Sequence, residues 1–159
     1  MKTLVLIRHA KSDWKHQGLS DFDRPLNKMG MRDAPFMAGK IQEAGIKPDL
    51  IISSPANRAL TTAGFMADHF DIPFGDIRQI PSLYLGSPRD LLSAVNNTAD
   101  SVETLFLLAH NPGISFLASM LNNAGLSMPP CTAVILKLNQ GWKTLHVEEY
   151  SILKTKDFN

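Results

Sequence analysis

Three compact apolar runs, Thr3–Ile7, Asp49–Ser53 and Glu103–Ala109, alternate along the chain with segments whose apolar residues fall at helical spacing. This alternation constrains the fold more than any other feature. Runs so short, with no polar residue on alternate positions, suit strands covered on both faces. Asp76–Ile80, Thr132–Leu138 and Trp142–Val147 complete the strand candidates. The last two flank Asn139-Gln140-Gly141, a short glycine-containing turn, and are expected to pair as a hairpin. The expected fold class is α/β: a three-layer sandwich with a mostly parallel central sheet of about six strands and helices on both faces.

The helical segments share a signature at their starts. Ser54-Pro55, Ser87-Pro88 and Asn111-Pro112 each offer a capping side chain followed by proline at the first helical position. Beyond Pro55, Ala59, Thr62, Ala63, Met66 and Phe70 form an apolar stripe; beyond Pro112, Ile114, Leu117, Ala118 and Leu121 do the same, with Gly125 as the expected left-handed stop. An earlier helix carries Ala34, Met37, Ala38, Ile41 and Ala44 on one face and ends at Gly45, with a kink or restart expected at Pro35. Methionines on these stripes read as core filler.

Composition narrows the function classes. A formal charge of +1 over 159 residues gives no basis for nucleic-acid or membrane-surface binding, so electrostatic recognition has to be local. The length suits one domain, residues 1–159, burying roughly two-thirds of its unfolded surface. Cys131, the only cysteine, reads as a small buried residue and not as a nucleophile. The apolar run Leu4–Ile7 is too short for a signal-peptide core, and no later stretch approaches a membrane span, so a cytoplasmic location is expected.

In open α/β sheets, ligands bind beyond the carboxyl ends of the strands. Arg8 and His9 follow the first strand, Arg58 lies in the first turn of the helix after the second, and His110 ends the fourth. Each alone is ordinary; together they map to one sheet edge. Two guanidiniums match the oxygens of a phosphoryl group. Helix starts near Ser54 and Asn111 would aim positive dipole ends at the same place. There is no P-loop, no cysteine-arginine pair and no dense carboxylate set for two metals. The nucleophile that remains is an imidazole, which beside arginines can attack phosphorus.

The segment LVLIRHAKSDW resembles the opening arginine-histidine signature of the histidine phosphatase superfamily, which includes the cofactor-dependent phosphoglycerate mutases. SSPANRALTTA resembles its second arginine motif and LLAHNPG its second histidine motif, in matching order from residue 2 to at least residue 117. RHAKSDW and DFDRPLNKMG are closer still to the short SixA-type phosphohistidine phosphatases. The resemblance implies a phosphoglycerate-mutase-like sandwich without a large cap. It implies that His9 is the nucleophile, forming a phosphohistidine that water hydrolyses, with Arg8, Arg58 and His110 completing the phosphate pocket. His110 would also hand a proton to transferring oxygens. No metal or cofactor is implied. The implied partner is a phosphohistidine-bearing protein, such as a histidine phosphotransfer domain in signal transduction.

Two positions depart from the pattern. Ala10 replaces the usual glycine after the nucleophile, as the SixA-type group also tolerates. The acidic proton donor expected near the third strand is missing: Ser82–Tyr84, its natural match, contains no carboxylate. An alkyl ester expels a poor leaving group and gains roughly 10²- to 10⁴-fold from a positioned acid. Phosphohistidine expels an imidazole, which titrates at about 6.5, so it fits the missing acid better. Asp13, Asp21 or Asp23 could substitute from the loop after His9; alternatively, Asp21 and Asp23 cap turns or pair with Arg24. The rival readings are a broad phosphomonoesterase and a non-catalytic phosphohistidine-binding module, the latter disfavoured by an intact His9. His16, His69 and His146 have no comparable context and read as structural.

Overall fold

A computed structural model describes residues 1–15 and 18–158. Six strands form one sheet: β1 (Lys2–Arg8), β2 (Leu50–Ser53), β3 (Arg78–Gln79), β4 (Thr104–Ala109), β5 (Ala133–Leu138) and β6 (Val147–Leu153), in the order β3-β2-β4-β1-β5-β6. The pairs β1–β4, β4–β2 and β2–β3 are parallel, while β5 and β6 add an antiparallel edge. Four helices cover it: α1 (Lys28–Glu43), α2 (Asn57–His69), α3 (Pro88–Asn96) and α4 (Gly113–Asn122).

The strand period of two divides the core. Val5, Ile7, Phe106 and Leu108 point to one face, against α1 residues Met37 and Ile41 and α2 residue Met66. Leu4, Leu6, Leu105 and Leu107 point to the other, against Leu91 of α3 and Leu117 of α4. The sandwich is therefore α/β with helices on both faces. Because β1 feeds α1 on one face and its neighbour β4 feeds α4 on the other, the chain parts at their carboxyl ends and opens a crevice.

Several local expectations change. Asn27 caps α1, accepting from the Gly30 N–H at 2.8 Å, and the helix runs unbroken through Pro35 to end before Gly45 at φ +83°. Burial of Ala34, Met37, Ala38 and Ile41 outweighs the lost hydrogen bond, although Ala44 is exposed. Only Ser87 makes the expected cap, in a capping box with Asp90. Helix α2 starts after Ala56, and α4 after Pro112, so Ser54 and Asn111 are free for other partners. The left-handed stop of α4 is Asn123, φ 49°, and not Gly125. Strand β6 begins where Trp142–Val147 was expected to end. Trp142 is instead buried, donating from Nε1 to the Val102 carbonyl at 2.8 Å, so the connection is longer than a glycine turn. Cys131 is fully buried and its thiol is pushed up to about 12 by desolvation. Among the described residues, no helix is long and apolar enough to cross a membrane.

Candidate active site

The four residues singled out on the sheet edge converge on one pocket of about 350 Å³. Arg8 ends β1 and His9 follows it; Arg58 comes from the first turn of α2, and His110 follows β4. Close backbone approach frames the pocket. A Cβ on Gly30 would lie 2.2 Å from the Lys11 carbonyl oxygen, and one on Gly113 would lie 2.2 Å from that of Gly86. Glycine at these positions lets α1 and α4 press against the site loops.

His9 is 5 % exposed, and its Nδ1 lies 2.7 Å from the Ala10 carbonyl oxygen. A carbonyl only accepts, so Nδ1 carries the proton and a neutral ring keeps its lone pair on Nε2. Desolvation pushes this imidazole down to about 4; Arg58, Arg8 and Arg24 push the same way, while the Ala10 bond opposes them. The ring is therefore neutral at pH 7. Ala10, which replaces glycine, is fully buried and donates its N–H to Thr62 Oγ1 at 3.0 Å; Thr62 in turn donates to the Arg58 carbonyl at 2.8 Å. The nucleophile candidate and the arginine of α2 are thereby tied together.

His110 lies 5.1 Å from His9 between ring centroids, and its Nε2 is 2.8 Å from Ser54 Oγ. Burial first, then His9 and Arg58, lower it to about 3. Arg8 donates from Nη1 to the Met128 carbonyl at 3.1 Å. Arg8 Nε, Arg58 Nε and His110 Nδ1 are buried without a hydrogen-bond partner. Unpaired buried polar atoms cost about 1–3 kcal/mol each, and these three belong to residues that line one pocket.

Three features escaped the sequence. Ser54, a cap by residue type, instead hydrogen-bonds His110. Asp21 does pair with Arg24, Oδ1 to Nε at 3.1 Å, as one reading anticipated. It also accepts from Arg58 Nη2 at 3.0 Å and from the Tyr84 hydroxyl at 2.7 Å, while its backbone carbonyl takes Arg58 Nη1 at 2.6 Å. Tyr84 stands where a carboxylate was missed, its ring 5.6 Å from that of His110. The Tyr84 hydrogen bond first, and then Arg58 and Arg24, hold the Asp21 carboxyl down to about 2 against the opposing effect of burial. The phenol is correspondingly raised by Asp21. Arg24, buried, also donates to Ser12 Oγ at 2.9 Å and stacks on Trp14 with Cζ 3.5 Å from the ring centre. Its signal was its place in DFDRPLNKMG.

The remaining candidates lie elsewhere. Asp13 accepts from the Lys15 N–H at 2.7 Å, and Asp23 from Ser20. His69 pairs with Gln42 and His146 with Asn139, away from the pocket; His16 is outside the described residues. Among the described residues, no three His, Cys, Asp or Glu side chains are grouped to hold a metal ion.

The family model for the histidine phosphatase superfamily, branch 1, matches residues 4–84, just over half of the chain. The chain belongs to the histidine phosphatase superfamily. His110 lies beyond the matched residues, and its place in the pocket rests on geometry. An uncharacterized chloroplastic protein of Arabidopsis thaliana is 34% identical over 145 residues, 86% of this chain and 66% of its own length. The chain thus spans just under two-thirds of that relative. The structure assigned as phosphohistidine phosphatase SixA from Agrobacterium tumefaciens superposes with a TM-score of 0.79 at 25% identity, covering 94% of this chain and 97% of that one. The protein histidine phosphatase SixA complexed with tungstate gives 0.82 at 18% identity over 99% of both chains, a likeness of fold. The fold is the phosphoglycerate-mutase-like one of this superfamily.

Proposed function

We propose that the protein is a phosphatase that hydrolyses phosphohistidine on another protein through a covalent phosphate on His9. Family membership and the structural neighbours support phosphatase activity. The observation that carries the finer reading is the Nδ1–Ala10 hydrogen bond, which leaves an unprotonated Nε2 in a cationic pocket.

In the first step, the His9 Nε2 lone pair forms a bond to phosphorus as the bond from phosphorus to the substrate imidazole breaks. A substrate imidazole protonated at its other nitrogen departs neutral. Arg8, Arg58 and His110 hold the equatorial oxygens, where negative charge collects. A Ser54 hydroxyl donating to His110 Nε2 places that ring's proton on Nδ1, the atom left without a partner, as a further donor. Water then attacks phosphorus, the bond to His9 breaks, and inorganic phosphate and neutral His9 result. The Asp21 carboxyl, held near 2, is ionised and has no proton to give an alkoxide. This favours a phosphoramidate over an alkyl ester.

The test pairs chemistry with substrate. Wild type incubated with labelled substrate should retain acid-labile, base-stable phosphate, and His9→Ala should capture none and turn over nothing. A panel of phosphoramidates and phosphate esters should rank phosphohistidine first; full activity in His9→Ala would overturn the assignment.

A further inference from the structure

Leucine at position 85 is in the wrong place for a leucine on two counts. Its backbone is left-handed, φ 52°, a region that strains any side chain with a Cβ and suits glycine. Its side chain is also 57 % exposed, on the wall of the active-site pocket. The loop that holds it is pinned by its neighbours: Gly86 presses its carbonyl on Gly113, and Tyr84 is bonded to Asp21. Strained, apolar and exposed residues held this way collect where a ligand binds.

Two exposed aromatic side chains flank pocket residues. Trp14, 77 % exposed, lies over Arg24 at the pocket, and Phe22, 37 % exposed, packs edge-on against Tyr84 at 5.1 Å. Beyond Trp14, and sharing Lys11, Ser12 and Trp14 with the pocket, runs a second groove of about 500 Å³. Lys11, Lys15 and Lys28 line it, with Asp13 the one carboxylate among the described lining residues. Leu85, Trp14 and Phe22 make an apolar collar beside the pocket's polar lining. A protein surface can supply apolar side chains to the collar and carboxylates to the groove.

Resting on the phosphohistidine reading, we propose that Leu85, Trp14 and Phe22 with the adjoining lysine groove form the docking surface for a protein segment. That segment carries its phosphorylated histidine between apolar residues and acidic ones.

The experiment compares kcat/KM for four phosphohistidine peptides: unadorned, leucine-flanked, glutamate-flanked, and flanked by both. Wild type should prefer the doubly flanked peptide over the unadorned one by about tenfold or more, equivalent to one well-buried side chain. Leu85→Gly removes the side chain and the strained Cβ together, so its Tm should be equal or higher while the preference for leucine flanks disappears. Lys28→Glu should cut the preference for glutamate flanks about threefold, as exposed charge pairs do, and added salt should do the same in wild type. Equal turnover of all four peptides, or unchanged preferences in both variants, would overturn the docking surface while leaving phosphohistidine hydrolysis standing. Hydrolysis of p-nitrophenyl phosphate with none of the peptides accepted would overturn the surface together with the function it rests on.

Discussion

Nitrogen-15 NMR of the imidazole rings can follow each described histidine through a pH titration, in wild type and in Arg58→Ala. His9 at about 4 is about 90% neutral at pH 5, whereas an ordinary imidazole at 6.5 is about 3% neutral there. The spectra should therefore show His9 uncharged at pH 5, with its proton on Nδ1, the nitrogen 2.7 Å from the Ala10 carbonyl. Burial is the leading cause for both His9 and His110, and Arg58 acts in the same direction on each. Arg58→Ala should thus raise both midpoints, leaving them below 6.5. The same gap has a sign in stability. Between pH 6.5 and about 4 the unfolded chain binds more protons at His9, so stability falls as pH is lowered through that window. The difference for His9 reaches roughly 3 kcal/mol below the folded midpoint, and urea midpoints at pH 7 and pH 5 should register most of its onset. A wild-type His9 midpoint at or above 6.5, or a proton on Nε2, would refute the nucleophile as drawn.

Arg58→Ala should slow formation of the phosphoenzyme by one to two decades, from about 1.5–3 kcal/mol per lost charge-assisted contact; a change in Tm with normal kinetics would make this a structural arginine. Asp21→Asn should bring the Tyr84 phenol back toward 10, seen by ultraviolet titration, while phosphohistidine turnover survives within about tenfold. Its collapse would identify Asp21 as a proton donor. Across aryl phosphates the rate should climb steeply as leaving-group pKa falls, with alkyl phosphates nearly inert; a flat series would favour a broad phosphomonoesterase. Chelators should leave activity unchanged and vanadate should compete with substrate, whereas recovery only with a divalent ion would reassign the histidines as ligands.

Much of the molecule was legible in local chemistry. The apolar runs at β1, β2 and β4 announce themselves because a strand covered on both faces needs no polar alternation. Arg8, His9, Arg58 and His110 were legible as a group because parallel strands put their carboxyl ends on one edge, whatever the exact register. Strand β6 was misplaced for the converse reason: Glu148, Glu149, Tyr150 and Ser151 are exposed on an edge strand, while buried Trp142 mimicked strand patterning in a loop. Capping residues were legible only as types. Ser54, Ser87 and Asn111 all precede proline, yet only Ser87 caps a helix, since nothing local tells a hydroxyl whether a distant imidazole will arrive.

The sequence by itself determined the alternating α/β architecture and the family's arginine-histidine motif, because both depend on residue type and short-range spacing. Tertiary structure alone decided what surrounds His9. Asp21 reaches Arg58 from 37 positions away and Tyr84 from 63, and those bonds turn a loop carboxylate into a fixed anion instead of an acid. The neutrality of His9, the proton on its Nδ1 and the strained leucine at the pocket mouth likewise arise from burial and loop closure. Those are sums over neighbours distant in the chain, and no short window of residues contains them.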